Sequence, residues 1–397
     1  MEFFGLELIK GLGRFFAHPL TYIIPFAMFM IGYFRVKRER ATFHTRVYSA
    51  LFDVTAPLLP GLLTGFLLSF LVIATGLTIP FAFLMLVGMI MFLFILLGRI
   101  RWLSPSYTIG LAIILALLLP GVESGYGWMD SFFMELGQGD YRPALVLLTL
   151  LMIAEGLLIW RNGKHHTSPM VVKSSRGKWI GAHRLQRIWF IPALIFVPGG
   201  AVEPFQWWPV LSIGESGLTL FLIPFAIGAK YTMFHTLPKN AVKQTGLIVV
   251  ILALFIGAGA VSAFYYPDFI MYTAVTGVVA REVITFWMKR KERAKTPLFK
   301  LQQRGIRILG ILPESPAEKM GLKPGEVIMK VNGQVVNNES EFYDALQKNS
   351  AYCKVEVCDQ QGEIRHAQST VYDNEHHELG VLLVKERNLQ EIITKEA

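Results

Sequence analysis

Nine apolar runs, at 15–34, 57–76, 77–97, 103–120, 143–160, 188–200, 209–229, 246–266 and 268–288, constrain this chain more than any other feature. A membrane-crossing helix needs about 20 predominantly apolar residues, and most of these runs reach or approach that length. The run at 188–200 falls short and reads as marginal or re-entrant. The fold class expected is a polytopic α-helical membrane bundle with about seven to nine spans. Lysine and arginine gather between the runs, at RVKRER (35–40), 99–101, 161–187, 230–243 and KRKERAK (289–295). The positive-inside rule places those loops in the cytoplasm. The loop 121–142 carries Glu123, Asp130, Glu135 and Asp140 against Arg142 and is expected outside. Residues 1–14 read as an interfacial helix or the approach to the first span. The N-terminus is outside if 15–34 crosses and inside if it turns back.

Composition supports a division into unlike parts. Hydrophobic residues make up 53% and charged residues 17%, with mean hydropathy +0.45, whereas a soluble domain carries about 25% charge. Residues 298–397 hold 12 basic and 15 acidic residues, leaving 26 basic and 14 acidic in 1–297. The expected domains are a transmembrane domain over 1–297, a cytoplasmic domain over 298–385, and a tail over 386–397. The basic excess lies in loops between apolar runs, so membrane lipids, not nucleic acid, are its expected partners. Cys353 and Cys358 stand five apart in a strand-like run and should point to opposite faces. No disulfide is expected between them, which fits a reducing compartment. No cleavable signal peptide is read at the N-terminus.

Ionisable groups at membrane depth invite a functional reading. Four candidates stand out: Glu155, Glu215 within GESG (214–217), and the adjacent Arg281 and Glu282. Packing or pairing inside the bundle is the plainer role for each. Gly61 and Gly65 form a GxxxG, which permits close helix approach.

Catalytic patterns are missing. Zinc proteolysis needs a pattern such as HExxH on one helical face, but His165 and His166 are adjacent in a basic loop, and His376 and His377 are adjacent in a polar one. GESG resembles the GxSG of rhomboid-type proteases, whose serine needs a histidine base on a neighbouring span. After Ser216 the histidines are His235, His366, His376 and His377, none of them in a later apolar run. There is no phosphate-cradling loop. No catalytic residue, metal or cofactor is expected, and the chain reads as a non-enzyme.

The C-terminal part is regular. GIRILGILPESPAEKMGLKPGEVIMKVNG (305–333) opens with a strand and continues into a short helix with Pro316 early and Gly321 at its end. A turn at Pro324–Gly325, a second strand and an Asn332-Gly333 hairpin signal follow. ESEFYDAL (339–346) is an amphipathic helix with Phe342 and Leu346 on one face. YCKVEVC (352–358), EIRHAQST (363–370) and ELGVLLV (378–384) are further strands.

Residues 298–385 resemble a PDZ domain of the bacterial strand order, most specifically in SPAEKMGLKPGEVIMKVNG. The resemblance implies a groove between Gly305–Ile311 and the helix 339–347, where an extended peptide adds to the strand edge. The peptide-binding residues it implies are Arg304, Gly305, Ile306, Arg307 and Ile308, with Phe342, Ala345 and Leu346 opposite. Gln303-Arg304-Gly305-Ile306 departs from the usual Gly-Leu-Gly-Phe loop. The ligand is therefore read as a terminal carboxylate, an internal segment, or a group that pairs with Arg304.

The layout of the chain, with openings such as LELIKGLGRFFAHPLTY (6–22), resembles the MinJ family of division-site topological determinants in Bacillus-type bacteria. That resemblance implies a membrane scaffold recruited to septum and poles by the curvature-sensing protein DivIVA. The scaffold would hold the division inhibitor MinC through the membrane ATPase MinD; other division proteins and a homo-oligomer are open. Two alternatives remain: a transporter or lipid-handling protein built on Glu155, Glu215 and Arg281, and an intramembrane serine protease using Ser216.

Overall fold

The computed structural model describes residues 2–119, 125–163, 167–174, 177–203, 208–211, 217–348, 352–359, 361–370 and 379–384. The first element, α1 (Glu2–Ala17), is followed by α2 (Leu20–Phe43), α3 (Phe52–Thr75), α4 (Phe81–Leu96), α5 (Pro105–Leu118), α6 (Gly127–Gln138) and α7 (Arg142–Leu158). A 3₁₀ turn at Ile100–Leu103 leads into α5, and a π turn at Ile159–Gly163 extends α7. Strands β1 (Ser168–Lys173), β2 (Trp179–Val202) and β3 (Leu218–Met233) come next, then α8 (Pro238–Tyr265) and α9 (Phe269–Ala294).

Among the described residues five helices are long and apolar enough to cross a membrane: α2, α3, α7 with its π turn, α8 and α9. The apolar α4 and α5 have 16 and 14 residues. At 1.5 Å per residue they rise about 24 and 21 Å, short of a bilayer core of about 30 Å. The seven to nine helical spans expected are not what the described residues show. Two of the nine runs, 188–200 and 209–229, contribute to strands instead of helices. The physical reason is local. The stretch is rich in β-branched and aromatic residues and is punctuated by Pro192, Pro198 and Pro224, a combination that favours extended backbone and breaks helices.

A ribbon among membrane helices must satisfy its edges from within the protein. β2 and β3 pair antiparallel from His183↔Met233 to Val197↔Thr219, and β1 pairs with the start of β2. On the outer edge of β2, the Leu194 amide donates to Ser69 Oγ (2.9 Å), and the Phe196 carbonyl accepts from the Ile79 amide (2.8 Å). On the outer edge of β3, Arg14 Nη1 donates to the Leu220 carbonyl (3.1 Å). Even-numbered backbone groups therefore point outward on both strands. Pro192 and Pro224, directly paired, occupy such outward positions, where a missing N–H removes no ladder bond.

The GxxxG of α3 meets this ribbon, not another helix. A Cβ on Gly61 would stand 2.2 Å from the Phe190 carbonyl oxygen, and one on Gly65 2.2 Å from that of Pro192. Helix α1 lies along β3, where a Cβ on Gly11 would come within 3.0 Å of the Leu220 carbonyl oxygen. RVKRER is likewise not a loop. It continues α2, and Arg35 and Glu39 are buried. Arg35 Nε donates to Asp53 Oδ2 (2.8 Å) and Nη1 donates to both Glu39 oxygens (2.9 Å). Ser168 Oγ donates to Glu39 Oε1 (2.8 Å), tying the α2–α3 elbow to β1. The basic loop read at 161–187 contains the end of the π turn, β1 and the start of β2. Its Arg187 is buried and donates to Asn162 Oδ1 (2.9 Å).

The C-terminal part comprises β4 (Ile306–Arg307), β5 (Gly310–Ile311), α10 (Pro316–Lys319), β6 (Val327–Val331), β7 (Gln334–Val335), α11 (Glu339–Gln347), β8 (Tyr352–Cys358), β9 (Ile364–Thr370) and β10 (Val381–Leu382). Its caps and turns follow from local side chains. Ser315 Oγ accepts from the Glu318 amide to cap α10, and Asn338 Oδ1 accepts from the Glu341 amide (2.9 Å) to cap α11. Asn332 and Gly333 both take positive φ, 48° and 81°, as a two-residue hairpin turn between twisted strands demands. Cys353 is buried and Cys358 half-buried, and both are free thiols.

Candidate peptide-binding site

The sheet order β4-β6-β8-β9, with β7 on β6 and a separate β5–β10 pair, surrounds a core of Ile306, Ile308, Ile328, Val355, Phe342, Ala345, Val381 and Leu383. Within it, the segment Gly305–Ile311 has neighbours on both sides. Ile306 and Arg307 pair with Ile328 and Val327. The Ile308 amide donates to the Glu326 carbonyl (2.9 Å), and the Gly325 amide donates to the Ile308 carbonyl (2.8 Å). From Leu309 onward the partners change: the Leu309 amide donates to Leu382 O and the Leu312 amide to Gly380 O, both at 2.8 Å.

The remaining expected groove residues fall as follows. Gly305 adopts φ +72°, and its amide donates to Asn337 Oδ1 (3.1 Å), so it is not presented to an incoming carboxylate. Arg304 is exposed. Arg307 is half-buried and donates through Nη1 to the Gly325 carbonyl (3.0 Å). Ile308, Phe342 and Ala345 are buried, and Leu346 is partly buried beside the same cluster.

Among the described residues β10 pairs on one side only, with β5, as β9 in the larger sheet pairs only with β8. Its inner groups, the carbonyls of Gly380 and Leu382, face β5. Alternation then puts the backbone polar groups of Val381 and Leu383 on the outer edge, for which no ladder partner is present among the described residues. Sequence reasoning assigned ELGVLLV as a strand but not as this edge. The signal was there in Leu379-Gly380-Val381-Leu382, which is closer to the Gly-Leu-Gly-Phe pattern than Gln303-Arg304-Gly305-Ile306.

The other face of β10 attaches this domain to the membrane part. Leu382, Leu309 and Val384 pack with Phe43, Val47, Val171 and Phe299. His183 Nε2–H donates to the Leu309 carbonyl (2.7 Å), and Thr167 Oγ1 bonds His183 Nδ1 (2.9 Å). Burial pushes this imidazole down to about 4, so it is neutral at the junction.

Of the polar candidates at membrane depth, Glu155 and Arg281 meet. Arg281 Nη2 donates to Glu155 Oε1 and to the Tyr231 hydroxyl (2.7 Å), and Ser104 Oγ donates to Glu155 Oε2 (2.6 Å). Both charges are almost wholly buried. Glu282 faces outward and accepts from Arg101 (2.8 Å) and the Tyr107 hydroxyl (2.6 Å). Glu215 and Ser216 lie outside the described residues, as do His165, His166, His376 and His377. Among the described residues no cluster of histidine, cysteine or carboxylate side chains could hold a metal.

Membrane-length helices joined to a domain of this strand pattern define a PDZ-bearing membrane protein. A PDZ domain family profile matches residues 307–357. The chain is 33% identical over 393 residues, 98% of both chains, to the cell division topological determinant MinJ of Bacillus subtilis (strain 168). It is 24% identical over 363 residues, 89% of this chain and 91% of the relative, to the probable cell division topological determinant MinJ of Lacticaseibacillus paracasei. The chain belongs to the MinJ family. A likeness to the mitochondrial serine protease HTRA2 of Bos taurus, 36% over 56 residues, covers 14% of this chain and 12% of the protease, too little to carry catalysis.

Proposed function

We propose that the protein is a non-enzymatic membrane scaffold for division-site selection, in which the PDZ domain captures an extended segment of a partner. The observation that carries this reading is the 33% identity that runs through 98% of both chains to a cell division topological determinant. Strand addition at the outer edge of β10 is the binding mode that fits the fold. Val381 and Leu383 offer main-chain groups there, and the half-buried Leu346 of α11 packs against the apolar cluster that includes both, where a ligand side chain would sit. The groove residues proposed are therefore Val381, Leu383, Phe342, Ala345 and Leu346, with the flank Arg304–Ile308 supporting β10 through β5. The polar partner is a DivIVA-like protein, and the cargo is MinD with MinC. A multi-pass anchor confines all of them to two dimensions, so a weak groove gains from local concentration. The PDZ domain is cytoplasmic in this reading, because KRKERAK ends the last long helix.

Imaging a full-length copy tagged at its C-terminus in dividing Gram-positive rods tests the proposal. Accumulation at nascent septa and young poles is expected, and a uniform membrane signal refutes the scaffold reading. In the same cells Leu346→Arg should leave membrane insertion intact and reduce partner capture about tenfold, as expected for burying an unpaired charge in a peptide pocket. Unchanged capture by that variant counts against the groove.

A further inference from the structure

A cavity of about 1730 Å³ opens between the 3₁₀ turn at Ile100–Leu103, helices α8 and α9, the paired ends of β1 and β2, and the linker to the PDZ domain. Among the described residues its wall carries eleven lysines and arginines and one carboxylate, Glu292. That carboxylate is already engaged. Its Oε2 accepts from the amides of Phe234 and His235 (2.9 Å each) and its Oε1 from the Thr236 hydroxyl (2.7 Å). Among the wall cations and the described residues, only Arg101 has a carboxylate in ion-pair range, Glu282. Lys230 is surrounded by charge of its own sign from Arg184, Arg38, Arg99 and Lys289. Arg184 Nε is buried with no hydrogen-bond partner.

Concentrated positive charge with an unsatisfied guanidinium N–H is costly unless an anion completes it. We propose that this cavity binds the phosphate of an anionic phospholipid headgroup, with Arg184 and Lys230 at its centre. The phosphate could in principle arrive on a lipid or free in solution; the surroundings favour the lipid. The walls are the ends of membrane helices, and the lining includes Ile248, Trp102 and Trp287. Trp287 is half exposed on α9, where acyl chains leaving the cavity would run. Basic pockets between membrane helices on the cytoplasmic side are suited to anionic headgroups. The linker residues Pro297 and Lys300 complete the rim, and the linker is held down by the Leu298 amide on the Phe234 carbonyl (2.9 Å). A bound lipid thus lies under the chain that leads to the PDZ domain.

The test uses purified full-length protein in a mild neutral detergent. Native mass spectrometry follows retention of added phosphatidylglycerol against phosphatidylcholine, with inorganic phosphate and a poly-glutamate peptide as soluble competitors. Preferential retention of phosphatidylglycerol is expected, reduced about tenfold in R184Q/K230Q and unchanged in K319Q/K323Q, which removes two exposed charges from the PDZ domain. If this half-buried pair of substitutions fails to fold, K178Q/K289Q at the exposed rim takes its place, with the same loss expected. Equal retention of the two lipids, or full retention by the cavity variants, overturns the proposal. So does displacement of the lipid by millimolar phosphate, which marks a soluble anion site, or by the peptide, which marks a protein-docking site.

Discussion

Arg281 and Glu155 come from different helices and share one hydrogen-bonded cluster with Ser104 and Tyr231. An ion pair at this depth is weak evidence for net stabilisation, but breaking one side of it leaves a buried charge alone. Arg281→Gln or Glu155→Gln should therefore cost about 3–5 kcal/mol, read as a lower unfolding temperature in detergent. The double variant should recover much of that loss, because no lone charge remains. If both single variants are as stable as the parent, the pair is not a clasp. The two charges are paired through Arg281 Nη2, while Arg281 Nη1 is buried with no hydrogen-bond partner. Sequence alone singled out both residues from their depth in apolar runs. It passed over Arg35, Glu39 and Asp53, because Arg35 and Glu39 sit inside RVKRER, and a basic cluster after a span reads as a solvated loop. Nothing in the local pattern distinguishes the buried arginine at 35 from the cations beside it.

At the scale of elements, the β2–β3 ribbon and α3 depend on each other. The ribbon needs a smooth helix against its outer carbonyls, and α3 supplies one through Gly61, Gly65 and the Ser69 hydroxyl. Gly65→Ala should destabilise the membrane part by about 1–3 kcal/mol, the usual penalty for overpacking, and Gly65→Leu should lower the yield of folded protein further. Gly13→Ala, on α1 with open space around it, is the matched control, and equal losses in both would contradict the close α3–ribbon contact. The small-residue spacing in α3 was legible, but its partner was not. GxxxG reports that something approaches closely, and whether that is a helix or a strand is settled by residues more than 100 positions away. Of the two runs that contribute to strands, 188–200 reads as marginal or re-entrant and 209–229 as a longer apolar run, because period and hydrophobicity cannot separate a fully buried strand from a buried helix segment; the prolines were the available signal.

For the whole molecule, the decisive contact is the junction in which β2 and the PDZ domain share His183 and Leu309. Undocked, the imidazole titrates near 6.5; docked, burial holds it at about 4. The undocked form binds the proton more readily across that window, so docking should weaken as pH falls from 6.5 toward 4 and be constant above it. Protease sensitivity of the linker 296–303 should rise over that range in the parent, and His183→Gln should flatten the profile. A parent profile without pH dependence would contradict the neutral, buried imidazole. By itself the sequence determined that this chain has a membrane part and a PDZ domain, because apolar length, loop charge and turn chemistry are local quantities. It also determined the caps and turns of that domain, where Ser315, Asn338 and Asn332-Gly333 act on backbone a few residues away. Tertiary structure alone decided which apolar runs pair as strands, which charges are buried against one another, and which strand edges of the PDZ domain stay open. Each of those depends on what occupies the space opposite a residue, and in this fold that neighbour comes from a distant part of the chain.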